Sequence, residues 1–340
     1  MEEANKPIEI IALESLGSGF DLASDFRLKF VKKCPSGGGG GRLVVLDEAD
    51  KRDVLVPGGG TIRGVPEGIR FDKGDRIRLK SDVLEFNQMS ELLNQRSSVQ
   101  GKIPSGYFNT VFDLTGAWSN DAADAKCLAF DGYFISLYNL HLTASPLLLQ
   151  EKVTNCVPSH WNPASLSRFI QTFGTHVIVG IAVGGQDLLC VKQKSSSVIP
   201  RSQLRRCLED LGDCLFSDGT SPSLPERNTR DGKHKVPEVF GRMLQPHKMH
   251  FTSITETSSK DGLTIIWSKR GGDVFTYNHS NWLQSVAANP EAISFKFVPI
   301  SSLLTGVPGS GYLSHAINLY LRWLWVGEKE EKGKGERGHR

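Results

Sequence analysis

The stretch that decides the fold is Phe169-Ile170-Gln171-Thr172-Phe173-Gly174-Thr175-His176, which runs without a break into Val177 and on to Lys194. Its first half closes a helix. Asn162 can cap that helix, Pro163 suits its first position, and Leu166, Phe169, Ile170 and Phe173 recur at helical spacing. Gly174 supplies the stop. Beyond it, Val177, Ile178, Val179, Ile181, Val183, Leu188, Leu189 and Val191 make a β-branched and apolar run from His176 to Lys194. At about 3.3 Å per residue such a strand would exceed about 50 Å, against the usual five or six residues. Gly184-Gly185 interrupts it, and paired glycines permit a bend or a close backbone approach. Taken alone, the segment reads as a glycine-capped helix, a Thr-His entry to a strand, and a bulge.

The surrounding chain carries further signals. Val83, Phe86 and Leu93 share a helical face over 83–95. Cys127 to Leu142 is a second long strand, with Asp131-Gly132 a candidate bulge. Leu204, Cys207, Leu208, Leu211 and Leu215 line one side of a helix from Ser202 to Leu215. Arg42 to Asp47, Leu263 to Lys269 and Ser294 to Pro299 read as shorter strands, the second closing at Arg270-Gly271-Gly272-Asp273. A last helix is expected over about Leu313 to Trp323. The polar stretch from Ser217 to Asp231 and the glycine runs Gly37 to Gly41 and Gly58 to Gly60 read as loops.

Composition removes several classes. Among 340 residues there are 35 glycines without a Gly-X-Y period, so collagen is excluded. Hydrophobic residues at 39% can build a core. A net charge of +3 does not argue for nucleic acid. Cys34, Cys127, Cys156, Cys190, Cys207 and Cys214 fit no common zinc spacing and are read as free thiols. The acidic start Met1-Glu2-Glu3 does not resemble a secretory leader, so a cytoplasmic location is expected and the sequon at Asn278 is read as idle. No stretch reaches the ~18 apolar residues of a membrane helix.

Signatures of catalysis are missing from the sequence. It contains no HExxH, no GxSxG, no P-loop and no GxGxxG, and Pro308 stands where an elbow ending in Gly309-Ser310-Gly311 would need glycine. His247 and His250, or Cys190, Cys207 and Cys214, lack any recognised metal spacing. The expectation is a non-enzyme with no catalytic residues, no metal and no cofactor.

Phe173-Gly174-Thr175-His176 before a long strand with Gly184-Gly185 resembles the membrane-attack-complex/perforin (MACPF) family, with phenylalanine for the more usual tyrosine. The likeness extends to Ala12 through Asp21, Asp25-Phe26-Arg27-Leu28-Lys29, Gly101 through Gly106, Pro158-Ser159-His160-Trp161 and Pro308 through Ala316. These segments resemble the plant group named for constitutively activated cell death and necrotic spotted lesions, over roughly residues 6–323. The resemblance implies an α+β fold: a bent, four-stranded antiparallel sheet, as in cholesterol-dependent cytolysins, hinged at Gly184 and Gly185 and flanked by two helical clusters at about 83–126 and 195–260. In pore-forming relatives each cluster unwinds into a membrane hairpin. The implied domain is 1–323, with 324–340 a charged tail expected to be disordered and the family's usual C-terminal β-rich region apparently absent.

A barrel strand needs ~9–11 residues with one uncharged face. From Pro104 to Trp118 the even positions, including Phe108, Phe112, Leu114 and Trp118, carry no charge, so they are the candidate membrane face; a helical packing layer explains the same residues at least as well. From Leu204 to Phe216 both alternating faces are charged, by Arg206 and Asp210 on one and Arg205, Glu209 and Asp213 on the other. Met249 to Thr252 alternates only briefly. Residues 192–250 hold 11 basic and 7 acidic side chains, and Arg201, Arg205, Arg206, Lys233 and Lys235 form a candidate basic surface for anionic lipid. The partners implied are anionic membrane lipid, peripherally at the plasma membrane, and further copies of the chain, without nucleic acid; no immune-signalling partner can be named. The function implied is negative regulation of salicylic-acid-linked cell death and defence. The alternative is an intracellular scaffold with the same fold that never inserts.

Overall fold

A computed structural model describes residues 6–35, 41–47, 49–56, 60–216, 254–258 and 260–326. The N-terminal part comprises α1 (Ile8–Ser15), β1 (Gly19–Phe20), a 3-10 turn (Leu28–Phe30), and β2 (Lys51–Leu55), β3 (Thr61–Pro66), β4 (Ile69–Lys73) and β5 (Arg76–Lys80). There follow α2 (Phe86–Arg96), α3 (Gly106–Val111), α4 (Trp118–Asp124), β6 (Ala125–Leu142), α5 (Glu151–Thr154), α6 (Pro163–Phe173) and β7 (His176–Lys194). Last come α7 (Arg201–Leu215), β8 (Ile254–Ser258), β9 (Leu263–Arg270), α8 (His279–Ser285), β10 (Glu291–Pro299) and α9 (Ser310–Val326).

Among the described residues the main sheet contains eight strands, all antiparallel, yet its core is four strands wide. β4 and β5 together form one column along β6, pairing from Ile69↔Leu142 to Lys80↔Asp131. β6 pairs with β7 from Ala125↔Lys194 to His141↔Gly180. On the far side of β7, β9 covers Gln186 to Gln193 and β10 covers His176 to Gly184, forming the fourth column. β8 extends the sheet beyond β9, and β1 takes the place of β6 beside Val177 and His176. The four-stranded expectation therefore holds for the columns: two of the four extra strands arise because both outer columns are broken in two, and the other two are β8 and β1.

Alternate residues of a strand face opposite sides, which assigns the helices. Leu188 and Cys190 of β7 join the apolar cluster containing Phe86, Phe108 and Trp118 of the first helical layer. Leu189 and Val191 join the cluster containing Leu204, Leu208 and Leu211 of α7. With helices on both faces, β7 is buried along nearly its whole length, which is why it reads as one apolar run and not as an alternation.

Local chemistry sets the element ends. Asn162 accepts a hydrogen bond from Ser165 N at 3.0 Å, with Pro163 at the first position of α6. α2 begins at Phe86 because Glu85 and Gln88 form a reciprocal capping box. Two expectations fail. Among the described residues Arg42 to Asp47 makes only a single bridge, Val44↔Leu149, because the backbone amides of Leu43 and Val44 both donate to the Gly17 carbonyl and not to a partner strand. Asp131-Gly132 is in regular register, and the irregularities of β6 against β7 lie between Ala125 and Cys127 and, as a bulge in mid-strand, between Ser136 and Tyr138. Glycine is needed at 132 for space: a Cβ there would sit 2.6 Å from Leu188 Cδ2. β10 starts three residues earlier than expected and α9 is longer at both ends. The run Lys51–Lys80 supplies four strands that its weak, half-exposed patterning did not announce. Gly37 to Gly40 of the first glycine run, Gly58 and Gly59 of the second, the stretch 217–231, Met249 to Thr252 and the tail after 326 lie outside the described residues.

Candidate functional site

The breaks in the two outer columns line up with a bulge in β6 and a glycine in β7. Gly74 separates β4 from β5 and donates to Leu137 O at 3.1 Å, beside the β6 bulge. On β7 the same level is occupied by Gly184, paired with both Ser136 and Glu291. On the fourth column it is Gly271-Gly272, with φ of 66° and 67°, where β9 gives way to the excursion that carries α8. Side chains have no room along this line. A Cβ on Gly74 would lie 2.7 Å from the Leu137 carbonyl carbon, one on Gly184 2.9 Å from that of Ile135, and one on Gly271 3.1 Å from Gly185 Cα. Gly185 is closed from above by α8, since its Cβ would be 2.8 Å from Val286 and 2.9 Å from Trp282. Gly184-Gly185 within its strand and Gly271-Gly272 at the end of another are legible from strand patterning; Gly74, and the level the three share, are not.

Two straps cross the line. On one face the arm that follows β1 contributes Asp25 and Arg27. Asp25 is hydrogen-bonded to Arg270 at the end of β9 and to Arg27 Nε at 2.7 Å; Arg27 Nη1 reaches Glu291 at the start of β10 at 3.2 Å. The chain Arg270–Asp25–Arg27–Glu291 thus joins the two halves of the broken column. Arg270 also donates to Phe26 O at 2.8 Å, and its guanidinium lies 5.5 Å from the ring centre of Tyr107. On the other face, fully buried Asp187 accepts from Trp267 Nε1 at 2.6 Å, lies 2.8 Å from His279 Nδ1 and 3.8 Å from Lys269 Nζ. Burial pushes the Lys269 ammonium below its usual range, opposed by Asp187 and Asp273. His279 sits among the rings of Tyr133, Phe216 and Trp282, and its buried Nε2 has no hydrogen-bond partner among the described residues. Nothing in the local sequence around Asp187, Lys269 or His279 marks this cluster, because three separate elements assemble it.

The helical layers are held differently on the two faces. Phe86 packs edge-on against Phe108 and Trp118, with ring centres 5.0 and 4.6 Å apart, and Phe112 lies 5.7 Å from Phe108. Phe108, Phe112 and Trp118 are buried and Leu114 is half-buried, so in this conformation the candidate membrane face is the underside of a helical layer. α7 combines its apolar underside with an ionic rim. Arg78 grips buried Asp131 through two bonds of 2.9 and 2.7 Å and reaches Asp213 at 2.7 Å, which Lys80 also meets at 3.0 Å. These cations draw the Asp213 carboxyl below its usual range despite some desolvation. Arg205 pairs with Asp82 and Glu209 at 3.1 Å each, and Arg201 with Glu85 at 3.1 Å. Two residues of the candidate basic surface therefore face carboxylates of the segment leading into the first layer. Arg206 is exposed, and Lys233 and Lys235 lie outside the described residues.

Phe173-Gly174-Thr175-His176 forms a docking node for the N-terminal arm. Gly174 has φ of 84°, and a Cβ there would be 2.8 Å from Phe20 N. Thr175 N donates to Phe20 O at 2.9 Å, its hydroxyl accepts from Leu22 N at 3.2 Å, and its carbonyl accepts from Ile300 N at 3.1 Å. His176 Nδ1 lies 3.0 Å from that hydroxyl, and burial pushes its pKa down to about 3. The tetrad binds β1, β7 and the end of β10 into one corner and presents no open face for chemistry. Among the described residues no group of three or more His, Cys, Asp or Glu side chains is placed to hold a metal, and no helix is long and apolar enough to cross a membrane.

The model of the MAC/Perforin domain matches residues 5–324. The chain belongs to that family. MACPF domain-containing protein At1g14780 of Arabidopsis thaliana is 47% identical over 320 residues, covering 92% of this chain and 51% of the relative. MACPF domain-containing protein NSL1, from the same plant, is 41% identical over 313 residues, 92% of this chain and 51% of its own length. This MACPF chain thus spans about half the length of the curated relatives it matches. Among solved structures, GNIP1Aa from Chromobacterium piscinae superposes with a TM-score of 0.57 at 14% identity, over 92% of this chain and 56% of that one. That likeness bears on the fold alone: the antiparallel sheet with its flanking helices is the MACPF architecture.

Proposed function

We propose that this MACPF chain is a non-enzymatic protein that associates with anionic membrane and, in a plant cell, restrains salicylic-acid-linked cell death and defence. One observation carries the membrane part. Both helical layers emerge from the same end of the sheet, the first between neighbouring columns β5 and β6, the second between neighbouring columns β7 and β9. Extending those columns would convert each layer into a hairpin that continues an existing ladder. In the first layer the uncharged alternation of Phe108, Phe112, Leu114 and Trp118 supports a lipid-facing role. Gly184 and Gly185 would serve as the hinge, residues 1–323 as a single domain, and further copies of the chain as the partners closing a ring. The restraint of cell death rests on likeness to NSL1 and to the plant group described above.

The charges of α7 favour a second reading. With Arg206 and Asp210 on one alternating face and Arg205, Glu209 and Asp213 on the other, this segment is a poor barrel strand. A scaffold that keeps the helical layers docked accommodates those charges. Sedimentation with phosphatidylserine vesicles at low salt, dye leakage, and negative-stain imaging for rings separate the two. Co-sedimentation with leakage supports insertion. Absence of both refutes the membrane role and leaves the scaffold.

A further inference from the structure

A cavity of about 570 Å³ lies between α1, the arm at Arg27 to Lys33, and the start of β10, against the Arg27–Glu291 strap. That volume lies within the ~300–1,000 Å³ typical of small-molecule sites. Ile8, Ile11, Leu28 and Val31 line it, all half-buried, giving it an apolar body. Its charge is one-sided. Lys6, Arg27, Lys29 and Lys33 line it against two carboxylates, Glu14 and Glu291. Glu14 is shared, lying 2.9 Å from Lys6 and 3.7 Å from Lys33. Lys29 meets no carboxylate among the described residues, and its ammonium rests 4.8 Å from the ring centre of Phe30.

We propose that this cavity binds a single-chain amphiphile with an anionic head, a carboxylate or a phosphate. The aliphatic tail would cover Ile8, Ile11, Leu28 and Val31. The head would meet Lys29 and Lys33 and compete with Glu291 for Arg27. Arg27 is the middle link of the strap across the glycine line, so an occupied cavity would loosen the hold on β10. Charge complementarity and an apolar body in one concavity carry the assignment, which does not depend on the membrane reading above.

The test uses the 340-residue chain and dodecyl phosphate below its micelle threshold, titrated calorimetrically, with dodecyl maltoside as an uncharged control. Saturable one-to-one binding of the phosphate, and at least tenfold weaker binding of the maltoside, is expected. Lys29→Glu with Lys33→Glu, both at exposed positions, lowers the affinity at least tenfold; Ile11→Trp fills the cavity and abolishes binding; Glu291→Gln removes the carboxylate that competes for Arg27 Nη1, leaving Nε on Asp25, and tightens it severalfold. If Ile11→Trp loses the native near-UV spectrum, the lysine reversal decides. No saturable binding, equal binding of the maltoside, or an affinity unmoved by the lysine reversal overturns the proposal. So does binding to phosphatidylserine vesicles without binding to the monomer, which would place the contact at a bilayer surface.

Discussion

Gly184→Ala probes the line of breaks most directly. The added methyl would overlap the Ile135 carbonyl oxygen, 2.9 Å from that residue's carbonyl carbon and 3.0 Å from Ser136 Cα. These are main-chain atoms of a paired strand, and no rotamer change can move them aside. Overpacking costs about 1–3 kcal/mol, and the immobile neighbours put this substitution near the upper end, about 3 kcal/mol. Gly185→Ala meets side chains, Val286 at 2.8 Å and Trp282 at 2.9 Å, both of which move if α8 shifts. It should cost less, about 1–2 kcal/mol. Gly311→Ala, in the first turn of α9 with nothing within 4 Å, should stay within about 0.5 kcal/mol of the parent. Urea unfolding followed by tryptophan fluorescence, with a common slope, ranks the three. A Gly184→Ala protein within about 0.5 kcal/mol of the parent, or one more stable than Gly185→Ala, would refute the packing argument.

Other substitutions test the remaining contacts. His176 is held neutral with a folded pKa of about 3, below its unfolded value near 6.5. The unfolded chain therefore takes up the extra proton, and stability falls as pH drops from about 6.5 toward 3, by up to about 1.4 kcal/mol per unit. His176→Gln should flatten that slope in pH-dependent denaturation, and an unchanged slope would refute the assignment. Asp187→Ala removes the buried counter-charge of Lys269, whose ammonium keeps only neutral partners such as Thr276 O at 2.6 Å, and the partner of His279 Nδ1, and should cost about 3–5 kcal/mol, whereas Asp213→Ala, on the exposed rim of α7, should cost at most about 1 kcal/mol. Equal losses would contradict the burial assigned to the two carboxylates. Leu211→Ala, fully buried beneath α7, should cost about 2–5 kcal/mol and raise hydrogen exchange across Arg201–Leu215 ahead of β7. Uniform exchange throughout the sheet would show that α7 does not open separately.

Much of this fold is legible in the chain because its signals are local. The helix Pro163–Phe173 carries its own cap, apolar stripe and stop, and β7 announces itself by a long apolar run. The aromatic face of the first helical layer is visible too, although alternation and helical packing both account for Phe108, Phe112 and Trp118. The weak strands between Lys51 and Lys80 escape notice because half-exposed edge strands need little apolar sequence. The bulge is misplaced to Gly132 because a glycine required for close approach looks, in sequence, like a glycine required for an extra residue.

The amino-acid sequence by itself determined a glycine-stopped helix entering an exceptionally long strand, with a glycine pair in its middle and helical segments on either side. Those features depend on backbone preference and apolar spacing within a few residues. The tertiary structure alone decided that Gly74, Gly184-Gly185 and Gly271-Gly272 share one level of the sheet, since that depends on the register between strands far apart in the chain. It also decided the straps. Asp25 meets Arg270 across 245 positions, and Asp187 meets His279 across 92. Such pairs satisfy charges that burial would otherwise leave stranded, and only the folded chain brings them together.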